Sequence, residues 1–213
     1  MDFKAAIFDI DGTLADSNDV WDRIDINFLV KHKLPVPDDY IQKISDMDFA
    51  EAAVYTIKRF GLKHTADELA AEWYDMAACE YAHHIFLKPH AKEYLLFLKK
   101  QGVKLGIATA LPRVLYEPAL KNNGIYNLFN SFLSTEDVRC NKDCAEFYLL
   151  AAQKLGVAPE DCIAFDDALF SIEAIVAAGM TACGVYDRYW ECDKAAIRKL
   201  SKRYIFDFTE MMQ

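Results

Sequence analysis

A regular alternation between short apolar runs and helix patterns, from residue 89 to the end of the chain, constrains the fold most strongly. Short runs rich in β-favouring apolar residues are typical of buried strands. Here they lie at about 103–109, 131–134, 162–165, 181–186 and 204–206. Single helices between strands imply right-handed crossovers and a mostly parallel sheet that is covered on both faces. We therefore predict a doubly wound, Rossmann-like α/β fold.

One further strand precedes this region, and a different pattern separates the two. Lys4 to Ile10 is a short apolar run that ends in turn-forming residues, as a buried strand does. From about Asp16 to Ile85 we find helix patterns and no strand pattern. We predict an α/β core domain of residues 1–15 and 88–213, with a helical-bundle cap domain of residues 16–87 inserted after the first strand.

Composition excludes several classes of function. The chain carries 24 Lys and Arg against 33 Asp and Glu, a net charge of −9. Proteins that bind long nucleic acids depend on cationic contacts to phosphate, so we expect no nucleic-acid partner. No apolar run has the length of a membrane span, and the first residues carry no secretion signal, so we expect no membrane partner. The six cysteines include no C-x-x-C pair, which fits reduced thiols in a cytoplasmic protein. Separately, we expect the protein to be a monomer or a weak homodimer.

Polar residues follow the predicted strands at the edge where ligands bind in sheets of this kind. Ligands of doubly wound sheets lie beyond the carboxyl ends of the strands. Carboxylates, hydroxyls and an ammonium group follow those ends here, namely Asp9, Asp11, Thr13, Thr109, Lys142, Asp166 and Asp167. We found no comparable set at the opposite edge. The sequence therefore predicts a functional site at the carboxyl edge of the sheet.

The most specific element of this set is Asp9-x-Asp11-Gly12-Thr13, directly after the first strand. Two carboxylates two positions apart in extended chain can point to the same side. Gly12 lets the backbone approach a ligand closely, and N–H groups in such a turn can donate to an anion. Given average residue usage, four fixed residues in this pattern arise by chance about once in 10⁵ positions. We therefore interpret the pattern as a functional motif that takes part in chemistry rather than as an ordinary turn.

The motifs resemble those of the haloacid dehalogenase-like hydrolase superfamily, in order and over most of the chain. The string AIFDIDGT resembles its first motif, Thr109 in LGIATA its second, and Lys142 in NKDCAEFYLLAAQKLGV its third, a lysine at the start of a helix. The string AFDDALFSIEAIVAAGM resembles the fourth, and the likeness extends from Phe3 to about Tyr186. A helical insertion between the first two motifs is similar to the cap of the β-phosphoglucomutase and phosphoglycolate phosphatase subfamily.

The resemblance implies a Mg²⁺-dependent phosphatase that acts on a small phosphorylated metabolite through an aspartyl-phosphate. Asp9 would be the nucleophile, and Asp11 the general acid and then the general base. Asp9, the backbone carbonyl of Asp11, and Asp167 would hold Mg²⁺, with Asp166 either a ligand or a supporting residue. The same resemblance implies a set of phosphate-binding residues: Gly12, Thr13, Thr109, Ala110 and Lys142.

Electrostatics explains why the cations are needed. Two unit charges 4 Å apart interact by about 4 kcal/mol at an effective dielectric constant of 20. Carboxylates that face a phosphate dianion would therefore exclude it. A divalent ion together with Lys142 reverses this balance and stabilises charge during phosphoryl transfer.

Some positions depart from the family pattern, and two alternative functions stay open. Asp143 follows Lys142 where the family usually has proline, Asp166 stands where the subfamily often has glutamate, and Ala110 stands where Asn or Ser is common. A phosphosugar mutase would use the same four motifs, but the usual cap-loop Gly and Arg are missing from residues 44–48. A non-catalytic binding protein on the same fold is the other alternative.

Two further features attract a functional interpretation. His83, His84 and His90 cluster in the sequence, but we expect them to be surface or packing residues rather than a metal site. The aromatic segment Tyr186–Trp190 follows a strand at the predicted edge. It could cover the site or bind a partner, although we favour packing beneath the last helix.

Overall fold

A computed structural model of the chain describes residues 2–44, 47 and 49–212, without the side chain of residue 49. It divides into two compact units. The first consists of Met1–Asn18 and Ile85–Gln213, and the second of Asp19–His84.

The first unit is built on a parallel sheet, which has six strands within the described residues. The strands are β1 (Ala5–Phe8), β2 (Lys104–Thr109), β3 (Ser131–Ser134), β4 (Cys162–Asp166), β5 (Thr181–Val185) and β6 (Arg203–Ile205). Their order is β3-β2-β1-β4-β5-β6, and every neighbouring pair is parallel. The predicted doubly wound α/β fold is confirmed.

The second unit is helical. Its helices are α1 (Val20–Lys31), α2 (Tyr40–Ile44), α3 (Phe49–Phe60) and α4 (Ala66–His83). The apolar side chains Leu69, Trp73 and Tyr81 of α4 are buried, and Phe28 of α1 contacts Trp73 edge to face with ring centroids 5.8 Å apart. A helix stripe of this kind buries its apolar face against neighbouring helices.

The remaining helices belong to the first unit and connect its strands. They are α5 (Ala91–Lys100), α6 (Arg113–Asn122), α7 (Ala145–Leu155), α8 (Leu169–Ala177) and α9 (Lys194–Leu200). Across the part of the chain that the structure describes, none of the helices combines the length and apolarity that a membrane crossing needs.

The two central strands of the sheet are buried on both faces. Every residue of β1 and β4 is buried, as expected for strands covered by helices on each side. On one face the rings of Phe8 and Phe165 stack with centroids 4.6 Å apart, and Tyr94 meets Phe165 edge to face at 5.7 Å. This packing holds the carboxyl ends of β1 and β4 side by side. They flank the point where the strand order reverses, which is where ligands bind in such sheets.

The prediction for the helix that contains Lys142 is wrong at its start. The pattern of residues 142–155 predicts a helix that begins at Lys142, as in the third motif, whereas α7 begins at Ala145. The chain before it forms a turn, in which the N–H of Cys144 donates to the carbonyl of Asn141 at 3.1 Å. Cys144 then has extended backbone angles, so the helix cannot start before Ala145. Lys142 therefore lies in a turn that leads into the helix.

Candidate active site

The chain turns sharply after β1, and this turn places Asp9 at the end of the strand. The N–H of Asp9 still donates to the carbonyl of Phe165 on β4 at 3.1 Å, so the buried Asp9 is anchored to the sheet. The N–H groups of Gly12 and Ala15 then donate to the carbonyls of Ala15 and Ile10 at 2.9 and 2.8 Å. These bonds fold the segment after Asp9 back over the sheet edge.

Gly12 is required in this turn for two reasons. Its φ angle is +72°, a conformation that residues with a Cβ rarely adopt. A Cβ at this position would also lie 2.1 Å from Asn18 Nδ2 and 2.1 Å from Asp167 Oδ2. The absence of a side chain therefore allows Asp167 to approach the turn.

Gly12→Ala is expected to destabilise the protein and to displace Asp167. The backbone strain alone costs about 1–2 kcal/mol of unfolding free energy. Gly102→Ala is the matched control, because Gly102 has a φ of +76° and nothing within 4 Å of the added Cβ. Chemical denaturation should show the strain cost alone in Gly102→Ala and a larger loss of stability in Gly12→Ala, because its Cβ also clashes with Asn18 and Asp167. Only Gly12→Ala should also lose catalytic activity and Mg²⁺ binding. Equal activity in the two variants would contradict the assigned role of Gly12.

Three buried carboxylates meet beside this turn. Asp9, Asp166 and Asp167 each offer an oxygen atom, and these oxygens all lie within 4.8 Å of one another. Asp9 follows β1, Asp166 ends β4, and Asp167 follows it. The predicted juxtaposition of the first and fourth motifs is therefore present. The side chain of Asp11 lies outside this group, and one of its carboxylate oxygens accepts a hydrogen bond from Ser17 Oγ at 2.5 Å.

Lys142 supplies a positive charge to this group. Its Nζ lies 2.7 Å from Asp9 Oδ1 and 2.8 Å from Asp166 Oδ2. All three side chains are buried. Burial alone lowers the pKa of Lys142, but Asp166 and Asp9 outweigh burial and raise its pKa well above the usual value. The lysine therefore stays protonated and ties the nucleophile candidate to the end of β4.

Asp166 is held mainly by its neighbours in the core. Besides Lys142, its carboxylate accepts hydrogen bonds from the Tyr148 hydroxyl at 3.1 Å and from the N–H of Ala168 at 3.1 Å. It is completely buried. These contacts fix the position of the carboxylate that orients Lys142.

Asp167 accepts hydrogen bonds from two side chains of the β1 loop. Thr13 Oγ1 donates to Oδ1 at 3.2 Å and Asn18 Nδ2 donates to Oδ2 at 2.7 Å. Asn18 also hydrogen bonds to Asp187, and Lys88 Nζ lies 2.8 Å from Asp187 Oδ2. Burial favours a higher pKa for Asp187, but Lys88, the N–H of Tyr189 and Asn18 together outweigh burial and lower its pKa below the usual value. An ion pair between the half-buried Lys88 and the buried Asp187 therefore supports Asn18, which orients Asp167.

Burial makes the three-carboxylate group costly to ionise without a cation. It raises the pKa of Asp9 well above the usual value, against the opposing effect of Lys142, and Asp166 and Asp167 raise it further. Burial and the charge of Asp166 raise the pKa of Asp167 to about 7. If all three carboxylates ionise, Lys142 alone leaves excess negative charge in a buried site. A divalent cation bound by oxygen ligands would remove that cost, so the residues present fit such an ion.

A cleft of about 610 Å³ opens above these residues. Six predicted motif positions line it: Asp9, Asp11, Thr109, Ala110, Lys142 and Asp167. They lie at the ends of the four strands β1 to β4 or in the loops that follow those strands, so the structure brings them together. Trp190 of the aromatic segment also lines the cleft, as do residues that were not predicted from the sequence: Asn18, Thr135, Asn141, Ala168 and Phe170.

Two residues of the predicted phosphate-binding set do not line the cleft. Gly12 and Thr13 are buried and do not line the cleft, and the Thr13 hydroxyl donates to Asp167. Thr109 is buried as well, but it lies at the floor of the cleft, where its Oγ1 accepts a hydrogen bond from the N–H of Leu111 at 3.1 Å. Thr13 therefore supports a carboxylate in this structure instead of facing the cleft.

The expectation for the segment Tyr186–Trp190 is only partly right. Tyr186 packs against Phe206 with ring centroids 5.0 Å apart and lies under Lys194 of α9. Trp190 instead lines the cleft and contacts Phe170 edge to face, with centroids 5.7 Å apart. The sequence signal was the position of the segment directly after β5. Periodicity cannot show which ring of an aromatic segment turns toward the site.

The predicted surface role of the clustered histidines agrees with their contacts. His84 Nδ1 lies 3.3 Å from Glu80 and His90 Nδ1 lies 2.8 Å from Asp207, and both side chains are exposed. Within the described residues, the cluster of metal-ligating side chains that contains histidine is a different one, formed by His32, His64 and Glu72. This cluster was not predicted from the sequence.

Comparison with known proteins agrees with the motifs and the fold. Validoxylamine A 7′-phosphate phosphatase of Streptomyces hygroscopicus subsp. limoneus is 31% identical over 187 residues, which cover 86% of this chain and 85% of that protein. Hexitol phosphatase B of Escherichia coli K12 is 28% identical over 185 residues, 83% of this chain and 80% of that protein. The crystal structure of a candidate β-phosphoglucomutase from Thermotoga maritima has a TM-score of 0.87 at 22% identity, covering 98% of this chain and 96% of that chain.

The family assignment rests on a match that spans most of the chain. The family model described as haloacid dehalogenase-like hydrolase matches residues 3–179. This range includes the three buried aspartates, Lys142 and the helical unit. The protein belongs to the haloacid dehalogenase-like hydrolase family.

Proposed function

We propose that this protein is a Mg²⁺-dependent phosphatase that hydrolyses a small phosphorylated sugar or polyol through an aspartyl-phosphate at Asp9. One observation carries the proposal. A buried aspartate, paired with a buried lysine, lies beside two further buried carboxylates at the floor of an open cleft. Phosphoryl transfer needs this combination of nucleophile and positive charge in one place.

Asp9, Asp167 and the backbone carbonyl of Asp11 would hold Mg²⁺, a hard cation that prefers oxygen ligands. Asp166 would act mainly by positioning Lys142, because three groups of the protein already bind its two oxygens. When bound, the ion would offset the charge of the carboxylates and of the substrate and stabilise charge that develops on the transferring phosphoryl group.

The carboxylates of Asp9 and Asp11 would carry out the chemical steps. A carboxylate oxygen of Asp9 attacks phosphorus, the bond from phosphorus to the ester oxygen breaks, and Asp11 gives its proton to the departing alcohol. A water molecule then attacks the same phosphorus while Asp11 accepts its proton. The bond between phosphorus and Asp9 breaks, inorganic phosphate leaves, and both carboxyl groups return to their first states.

Lys142, Thr109 and Ala110 would bind the phosphoryl oxygens. Lys142 Nζ lies 2.7 Å from the proposed nucleophile, so a phosphoryl group on Asp9 would be close to the ammonium. Thr109 and Ala110 end β2 and line the same cleft. Positive charge and donors held in a buried site stabilise the transition state more than they would in water.

Stabilisation by Mg²⁺ is expected to increase with pH up to about pH 8. Without a cation, the raised pKa of Asp167, about 7, means that the folded state binds a proton that the unfolded chain has released. This group therefore stabilises the fold below about pH 4, and that contribution is lost as the pH rises toward 7. Mg²⁺ must displace this proton from Asp167. The apparent affinity of the site for Mg²⁺ should therefore increase by up to about tenfold for each unit by which the pH is raised, until the pH reaches about 7.

Thermal unfolding with Mg²⁺ and with a chelator, between about pH 5.5 and pH 8, measures this linkage. Asp167→Asn should weaken the Mg²⁺ effect and make it depend less on pH, because one ligand that must lose a proton is gone. Asp25→Asn is the matched control, because burial and Asp22 also raise the pKa of Asp25 to about 7, but Asp25 is not part of the carboxylate group. A Mg²⁺ effect that is the same at every pH in the wild type would contradict the proposed site.

The substrate class follows from the relatives and from the cleft wall. The two relatives compared above are named validoxylamine A 7′-phosphate phosphatase and hexitol phosphatase B. In this chain, Phe170 and Trp190 place two aromatic rings at the cleft that holds the carboxylates. Aromatic rings in a ligand cleft provide an apolar wall, against which the C–H groups of a sugar or polyol can pack.

Trp190→Ala is expected to raise KM for sugar phosphates about tenfold and to change kcat less, because the ring contacts the substrate away from the reacting phosphorus. The change in KM for acetyl phosphate, which has no sugar, should be small. Steady-state hydrolysis of hexose phosphates, hexitol phosphates and acetyl phosphate measures both effects. Equal changes for all substrates would contradict sugar packing on Trp190.

The same substrate panel separates the remaining alternatives. Conversion of a hexose 1-phosphate into its 6-phosphate would identify a mutase, and no turnover of any phosphate ester would identify a binding protein. The cap-loop positions that bear on the mutase alternative are residues 44–48, of which 45, 46 and 48 lie outside the described residues. We expect release of inorganic phosphate that requires Mg²⁺.

A further inference from the structure

We propose that the helical unit carries a second metal site, which binds one Zn²⁺ through His32, His64 and Glu72. The three residues lie in different parts of the unit, since His32 follows α1, His64 precedes α4, and Glu72 lies within α4. Each offers one ligand atom, and these atoms all lie within 4.8 Å of one another. This site is separate in sequence and in chemistry from the aspartate group.

The distances within the cluster match those around one ion. His32 Nε2 lies 3.0 and 3.1 Å from the two carboxylate oxygens of Glu72. Two ligands about 2.0–2.1 Å from one tetrahedral zinc ion are about 3.3 Å apart. The imidazole rings of His32 and His64 have centroids 5.3 Å apart, and two imidazoles on such an ion have centroids about 5 Å apart. Small shifts of the side chains would therefore complete the site.

A second observation concerns His64 itself. Its Nδ1 atom is buried and has no hydrogen-bond partner among the described residues. A buried polar atom without a partner costs free energy and calls for an explanation, such as a bound water or ion. The ring is nevertheless held in place, because Thr65 caps α4 directly after it through reciprocal bonds with Glu68. His64 is therefore held in place while its Nδ1 atom has no hydrogen-bond partner among the described residues.

The chemistry of the donor set favours Zn²⁺ over Mg²⁺. Two imidazoles and one carboxylate, with a position left for water, are a common zinc set, whereas Mg²⁺ prefers oxygen ligands alone. Lys31 now occupies part of this space, since its Nζ lies 2.6 Å from Glu72 Oε1. Its side chain is 60% exposed, so it can move into water when the ion binds.

The experiment uses the wild-type chain, labelled with ¹⁵N, and follows its five histidines by NMR. Millimolar Mg²⁺ is kept present so that the aspartate group is occupied. One equivalent of Zn²⁺ should shift the ring signals of His32 and His64 and leave those of His83, His84 and His90 in place. No shift at one equivalent, or equal shifts in all five histidines, would overturn the proposal.

Variants locate the ligands independently. His64→Gln and Glu72→Gln should each weaken Zn²⁺ binding at least about tenfold, measured by competition with a chromophoric chelator. His84→Gln is the matched control: His84 also contacts a glutamate, Glu80 at 3.3 Å, but among the described residues no third ligand joins that pair. Zn²⁺ affinity that is unchanged in both test variants, with circular dichroism showing an intact fold, would also overturn the site.

Discussion

Replacing Asp9 with Asn is expected to lower kcat by about 10⁴-fold or more while the fold stays intact. The neutral amide of Asn is too weak a nucleophile to attack phosphorus and form the acyl phosphate of the first step. The side chain keeps its size, and its oxygen can still accept the hydrogen bond from Lys142 that Asp9 Oδ1 accepts at 2.7 Å. Hydrolysis of p-nitrophenyl phosphate with Mg²⁺, together with thermal unfolding, measures both parts of this expectation.

Asp187→Asn is the matched control for this variant. Asp187 is also buried and also pairs with a lysine, since Lys88 Nζ lies 2.8 Å from its carboxylate. It acts on the site through its hydrogen bond with Asn18 and through its charge near Asp167, so turnover should fall by about tenfold at most. If Asp9→Asn kept a tenth or more of the wild-type turnover, the nucleophile would be misassigned.

Replacing Lys142 with Met is expected to lower kcat/KM by about 10³-fold. The ammonium group contacts both Asp9 and Asp166 in a buried site. Without it, the phosphoryl group meets two carboxylates with less positive charge, and the pKa of Asp9 should rise further because Lys142 now lowers it. A larger share of Asp9 would then be protonated and unable to attack. Steady-state kinetics across pH should show the smaller rate and an acidic limb moved to higher pH.

Lys104→Met provides the comparison, because it removes the same group from an exposed position. Lys104 Nζ donates to the carbonyl of Leu155 at 2.7 Å and lies outside the cleft lining. Its kinetics should match those of the wild type. If kcat/KM fell equally in both variants, the loss in Lys142→Met would come from removing any lysine and not from a change in the active site.

The fold was predictable because its signals are local. Strands that are buried on both faces are continuous apolar runs, and β4 and β5 begin where the pattern predicts. The start of α7 was not predictable in this way. The apolar periodicity of a helix continues into residues that a hydrogen-bonded turn, here Asn141 to Cys144, removes from the helix.

The site was predictable where a residue follows a strand directly. Asp9, Thr109 and Asp167 end up together because parallel strands place their carboxyl ends at one edge. Asn18 and Lys88 were not predictable, because no strand ends near them and their contacts depend on how loops cross the sheet edge. The cluster of His32, His64 and Glu72 likewise depends on which faces of α1 and α4 meet, and periodicity alone does not determine that.

The most direct test of the account traps the covalent intermediate. Enzyme is mixed with a sugar phosphate and Mg²⁺, quenched in acid during turnover, and treated with borohydride, which reduces an acyl phosphate to an alcohol. Mass spectrometry of the peptides should then find homoserine in place of aspartate at position 9, and nowhere in Asp9→Asn. Active enzyme that carries no label at position 9, or carries it at another carboxylate, would contradict the central claim.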